Sequence, residues 1–175
     1  MPESWLEEVD EYWSNKEHFL RSDPSSPLKP DDRKKFQGLR CFKPDPTFKL
    51  KAKFSRAYES KEFELKTSKG NSMKLSIAGE LYFRINEIEL KLLAFKGKGS
   101  NLFIPFCDKT NGSETYKLGR YVDVEAPEGV ENVTIDFNLA YNPDCAYNSS
   151  IESLIPPPEN VLSIPIKAGE MNYVK

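Results

Sequence analysis

At 175 residues, with 38% apolar and 30% charged residues and a formal net charge of −2, the chain can build one sizeable core and is short for two. The mixed charge argues against a general nucleic-acid or anionic-membrane surface, and no stretch reaches the roughly 20 apolar residues that cross a bilayer. The acidic, amphipathic amino terminus is unlike a secretion signal, so a cytoplasmic protein is expected. Cys41, Cys107 and Cys145, lacking CxxC spacing, predict neither a disulfide framework nor a zinc ribbon.

In chain order, Ser4-Trp-Leu-Glu7 is a capping-box pattern that predicts a helix from about Trp5 to Arg21. Trp5, Val9, Tyr12, Trp13, Phe19 and Leu20 fall on one side of it and Glu7, Asp10, Glu11 and His18 on the other. The Trp face is therefore expected to dock. Lys16 falls within the apolar stripe and is expected to snorkel to water along its own stem. The proline-rich stretch 22–30 reads as a loop, followed by a helical turn from Asp31 to Phe36 that ends at Gly38.

The period then switches to 2. Alternating runs at 47–54, 62–67, 73–77, 81–85, 88–94, 102–106, 120–125, 133–137 and 162–166 read as short strands, with Gly79 marking a bend or bulge and Asn86-Glu87 a turn. About eight strands with close turns predict a mainly β fold, an antiparallel barrel or sandwich with an N-terminal amphipathic helix. A single domain is expected, with a helical segment, 1–37, packed on a β-domain, 38–175.

His18 sits on the solvated helix face, so imidazole-based catalysis has no support in the strand region. Lys96-Gly-Lys-Gly-Ser100 lacks phosphate-loop spacing and reads as a hairpin turn. The polar residues collect instead at strand ends. Asp108 fits an Asx-turn or a ligand contact. Arg120, four residues past Tyr116, either anchors an anion through two parallel hydrogen bonds or forms a structural pair with Asp108 or Asp136.

Asp136 and Asn138 share one face, opposite Phe137, and either meet loop backbone or floor a pocket. Tyr141 and Asn142 could stay inward through the Tyr-Asn-Pro turn, with Cys145 and Tyr147 following at alternate positions. Cys145 is a nucleophile without a visible base, or a small buried hydrophobe. Pro156-Pro-Pro158 presets an extended strap that delivers Asn160, and Glu170 brings a last carboxylate. Asp108, Asp136 and Glu170 would make an oxygen-rich metal site only by converging, and neither metal nor cofactor is expected.

Phe106-x-Asp108, Thr110-x-Gly112, Glu114-Thr-Tyr116, Gly119-Arg-Tyr121, Asp136-Phe-Asn138, Ala140-Tyr-Asn-Pro143, Cys145-Ala-Tyr147, Pro156-Pro-Pro-Glu-Asn160 and Ile166-x-Ala-Gly-Glu170 together resemble the family known as domain of unknown function 1684. The resemblance spans nearly the whole chain and implies a shared architecture and a shared site, without an activity to carry over. It also implies Cys-Pro where this chain has Ser153-Leu154, so that Cys145 here works alone or merely packs.

Two functions fit. In one, a small, anionic ligand binds in a polar pocket at the strand ends, with carboxylate acid/base hydrolysis as its chemical extension. In the other, a non-catalytic binding or scaffolding module uses the same polar motifs structurally, with a protein partner the sequence does not identify.

Overall fold

The computed structural model describes residues 4–174. Helix α1 (Trp5–Ser22) starts at the capping box: Glu7 N donates to Ser4 Oγ at 3.3 Å, and Ser4 N donates to the Glu7 carboxylate at 3.2 Å. These bonds satisfy amides that a helix start otherwise leaves free. A short α2 (Pro30–Lys35) follows, with Pro30 at its first position, where a missing N–H costs nothing.

Among the described residues six antiparallel strands make the sheet: β1 (Lys49–Lys66), β2 (Ser72–Ile85), β3 (Ile88–Lys96), β4 (Asn101–Phe106), β5 (Arg120–Glu125) and β6 (Asn132–Asp136). Their order, β5-β4-β3-β2-β1-β6, brings β6 back towards β5 and nearly closes a barrel. The expectation of about eight strands is corrected to six. The runs at 47–54 and 62–67 belong to one long strand, whose register against β2 jumps from Arg56↔Gly79 to Lys61↔Ile77. Between those pairs both faces of β1 are wet, so the apolar alternation fades although the chain stays extended.

The runs at 73–77 and 81–85 likewise fuse into β2 across the bulge at Gly79. A Cβ there would lie 2.2 Å from the Ser55 carbonyl oxygen, so only glycine fits. Residues 162–166 form no strand; the Ile166 carbonyl is taken by Arg120, as described below.

The inward face of each strand builds the core, including Phe54, Leu81, Leu92, Ile104, Phe106 and Ile135, with Phe137 edge-on to Phe106 at 5.3 Å. A smaller cluster of Leu20, Leu28, Phe36 and Tyr147 packs beneath α1. The Trp face docks as expected. Trp5 Nε1 donates to Asp136 Oδ2 at 2.7 Å, and Trp13 Nε1 donates to the Asn138 carbonyl at 3.0 Å. Both bonds tie α1 to the end of β6. Among the described residues no helix is long and apolar enough to cross a membrane.

Candidate functional site

The sequence-derived residues separate into several constellations. Arg120, at the start of β5, is fully buried. Its Nη2 donates to Asp108 Oδ2 at 3.0 Å and to the Ile166 carbonyl at 2.9 Å, and its Nη1 donates to the carbonyls of Ala168 and Glu170. The guanidinium also lies over the Phe106 ring at 5.3 Å. Of the alternatives weighed for Arg120, the structural pair forms, and it forms with Asp108. The second oxygen of Asp108 accepts Thr110 N, Thr110 Oγ1 and Ile166 N at 2.6–3.1 Å, which makes the Asx-turn. A buried guanidinium so surrounded clasps the segment 166–170 to β5, and an external anion would have to displace main-chain carbonyls to reach it.

Asp136 and Asn138 sit apart from this clasp. Asp136 Oδ1 accepts Asn138 N and Nδ2. The Asn138 amide pairs with the backbone of Asp45 at 2.8 and 2.9 Å. Loop backbone and the Trp5 indole therefore satisfy this polar face. Tyr116 and Cys145 form a third set, with the hydroxyl 3.4 Å from Sγ, while Cys145 N donates to Ser153 Oγ at 3.1 Å. Asn160 is a latch: its amide bonds both the N–H and the carbonyl of Leu93 and also the Pro105 carbonyl, fixing the proline strap where β3 and β4 diverge. Asp108, Asp136 and Glu170 do not converge, and among the described residues no group of three or more His, Cys, Asp or Glu could hold a metal ion.

Glu170, Tyr147, Asn142 and Tyr141 come together with a residue the sequence reading had sent to solvent. Lys16 does not snorkel outward. Its ammonium lies 3.4 Å from Glu170 Oε1, over the rings of Tyr141 (4.8 Å), Tyr147 (5.4 Å) and Trp13 (5.7 Å), with a side chain only 17% exposed. The buried Glu170 carboxylate draws it inward, because an ammonium beside a carboxylate and aromatic faces offsets the burial of both charges. Glu170 also accepts the Tyr147 hydroxyl and, at 2.9 Å, Asn142 N. Its carbonyl belongs to the Arg120 clasp, so Glu170 joins clasp and cluster. Gly169, at φ +78°, sets this junction; a Cβ there would meet the Ala140 oxygen at 2.6 Å.

Above this cluster an open groove of about 440 Å³ runs between α1 and the β5 edge, lined by Tyr12, Asn15, Lys16, Phe19, Asp123, Tyr141, Asn142 and Asp144. The Tyr141 hydroxyl donates to both Asp123 oxygens at 3.0 and 3.2 Å. Loss of water raises the Asp123 carboxyl above the ordinary range, opposed by Tyr141 and Lys16. Desolvation, then Asp123 and Glu170, push the Tyr12 phenol up, and desolvation followed by Asp123 does the same at Tyr141. Burial first and Glu170 second push the nearby Cys41 thiol up to about 12.

Two other hollows, about 590 Å³ beside Phe36–Arg40 and Tyr173 and about 360 Å³ at the β1 bulge, contain none of the sequence-derived candidates. Sequence reasoning missed Tyr12, Lys16 and Asp123 as groove residues. The available signal was a lysine inside an apolar stripe, which marks either a snorkelling stem or a buried partner.

A family profile described as Protein of unknown function (DUF1684) matches residues 34–171. The chain belongs to this family. The solution NMR structure of an uncharacterized protein from Haloarcula marismortui is similar over 95% of this chain and 94% of that one, at 31% identity and a TM-score of 0.75. Among curated proteins, none matches the chain. Within this DUF1684 chain the motif residues therefore divide among the closed Arg120 clasp, the Asp136–Asn138 turn, the Tyr116–Cys145 pair, the Asn160 latch and the Glu170 cluster that floors the groove.

Proposed function

We propose that this protein binds a small ligand in the groove between α1 and the β5 edge. The observation that carries this reading is the Glu170 carboxylate, which locks Lys16, Tyr147 and the Asn142 backbone into a rigid polar floor beneath open walls made by Tyr12, Phe19 and Tyr141. Held polar groups under exposed rings are what a preorganised site requires, since little ordering remains to oppose binding. Tyr141 and Asn142 would touch the ligand, while Glu170 and Tyr147 support them. Asp108 and Arg120 would act at one remove, by fixing the segment that carries Glu170.

Asp123, with its raised pKa, is the groove's candidate general acid should the bound molecule be turned over. The enclosed Arg120 guanidinium favours a second reading, a non-catalytic scaffolding module in which the motifs only pin loops. An NMR fragment screen on isotope-labelled protein separates the two. The ligand reading expects shifts centred on Tyr12, Asp123, Tyr141 and Asn142, abolished by Tyr141→Ala in a folded variant. Fragments that bind elsewhere, or that keep full affinity for Tyr141→Ala, would overturn it.

A further inference from the structure

We propose that the groove selects an organic cation bearing N–H groups, a primary ammonium or guanidinium carried on an apolar body. This rests on the groove being the ligand site and adds the chemical class of what it holds. Three features of the groove converge on that class.

The first is charge. Lys16, the groove's cation, is committed to Glu170 and to the faces of three rings. The charged groups left along the walls are Asp123 and Asp144, both acids. Tyr141 already spends its hydroxyl proton on Asp123, so that wall offers acceptors. Asp123 is exposed on the groove wall, where a bound cation can meet its carboxylate.

The second is an unmet hydrogen bond. Asn142 is 2% exposed, and its Oδ1 has no partner among the described residues. The amide cannot be turned to hide this oxygen, because Nδ2 donates to the Met171 carbonyl at 3.0 Å and Oδ1 in its place would face another acceptor. Asn142 N is likewise held by Glu170. A buried acceptor left unpaired costs free energy, and a ligand N–H reaching it would recover that cost. An anion or a quaternary ammonium could not supply the proton.

The third is the wall itself. Tyr12, Tyr141 and the part-exposed Phe19 offer aromatic surface to an apolar body, and cations bind favourably beside such rings. A groove of about 440 Å³ has the size of a small-molecule site.

The test titrates labelled full-length protein with benzylammonium, benzyltrimethylammonium and benzoate, which share a ring and differ in charge and N–H content. Benzylammonium should shift the Tyr12, Asp123, Tyr141 and Asn142 resonances and bind about tenfold or more tightly than the trimethyl compound, and benzoate should leave the groove unchanged. Asp123→Asn, which keeps an acceptor for Tyr141, should weaken benzylammonium about tenfold; Asp144→Asn serves as a second variant if the first fails to fold.

Equal binding of the two cations overturns the N–H requirement. Preference for benzoate, or neutral fragments occupying the groove while all three probes fail, overturns the cation class and leaves the groove as the ligand site. If no compound of any charge enters the groove, both this inference and the reading beneath it fall.

Discussion

Arg120 holds the clasp together from a fully buried position. Its fork meets one carboxylate and three main-chain carbonyls with no exposure to solvent, so truncation strands Asp108 and frees the segment that carries Glu170. Arg120→Ala should lose about 3–5 kcal/mol in urea unfolding, and Arg120→Lys should recover little of it, because a lysine point charge cannot span divergent acceptors. A near-neutral Arg120→Ala would contradict the clasp. Asp123 behaves differently. Its folded-state pKa is raised, so its contribution to stability is complete below the unfolded value near 3.9 and is lost as pH rises through the folded value. Tyr141, Lys16 and Tyr12 are the titratable groups around it. Urea unfolding across a pH series should therefore show wild type losing ground relative to Asp123→Asn as pH rises from about 4 through the raised Asp123 range.

At the scale of elements, α1 is fastened by two indole hydrogen bonds, from Trp5 at its start and Trp13 at its middle, and by the Lys16–Glu170 pair. Lys16→Met should cost about 2–4 kcal/mol, because a buried carboxylate loses its cation. The double variant with Glu170→Gln should be less destabilised than the two single effects added, as chemical denaturation can measure. The helix was legible in the sequence because its capping box and apolar stripe are local. So was the Gly79 bulge, where one missing side chain marks the bend. Strand number was not, since β1 runs through a stretch with two wet faces that no alternation reveals. The pairing of Arg120 with Asp108 was one of two structural pairs the sequence offered beside anion anchoring, and the loop at Asp108–Thr110 is what turns the carboxylate to it. Lys16 was visible as an anomaly, but its partner lies at the far end of the chain, and no local pattern connects them.

For the molecule as a whole, a nearly closed barrel joins the Arg120 clasp to the Glu170 cluster where the segment 166–170 returns to β5 and meets α1. Glu170 belongs to both halves of that arrangement: its carbonyl completes the Arg120 clasp and its carboxylate sets the groove floor. Fold and candidate site are thus coupled through one residue, and clasp variants should weaken ligand binding together with stability, because freeing the segment 166–170 loosens the groove floor. Groove-wall variants such as Asp123→Asn should leave the fold intact. A crystal structure with benzylammonium tests the groove as a cation site most directly. The ring should lie between Tyr12 and Tyr141, with the nitrogen within hydrogen-bonding distance of Asn142 Oδ1 and facing Asp123. A benzylammonium bound away from α1, or in the groove with its nitrogen turned from both acceptors, would contradict it.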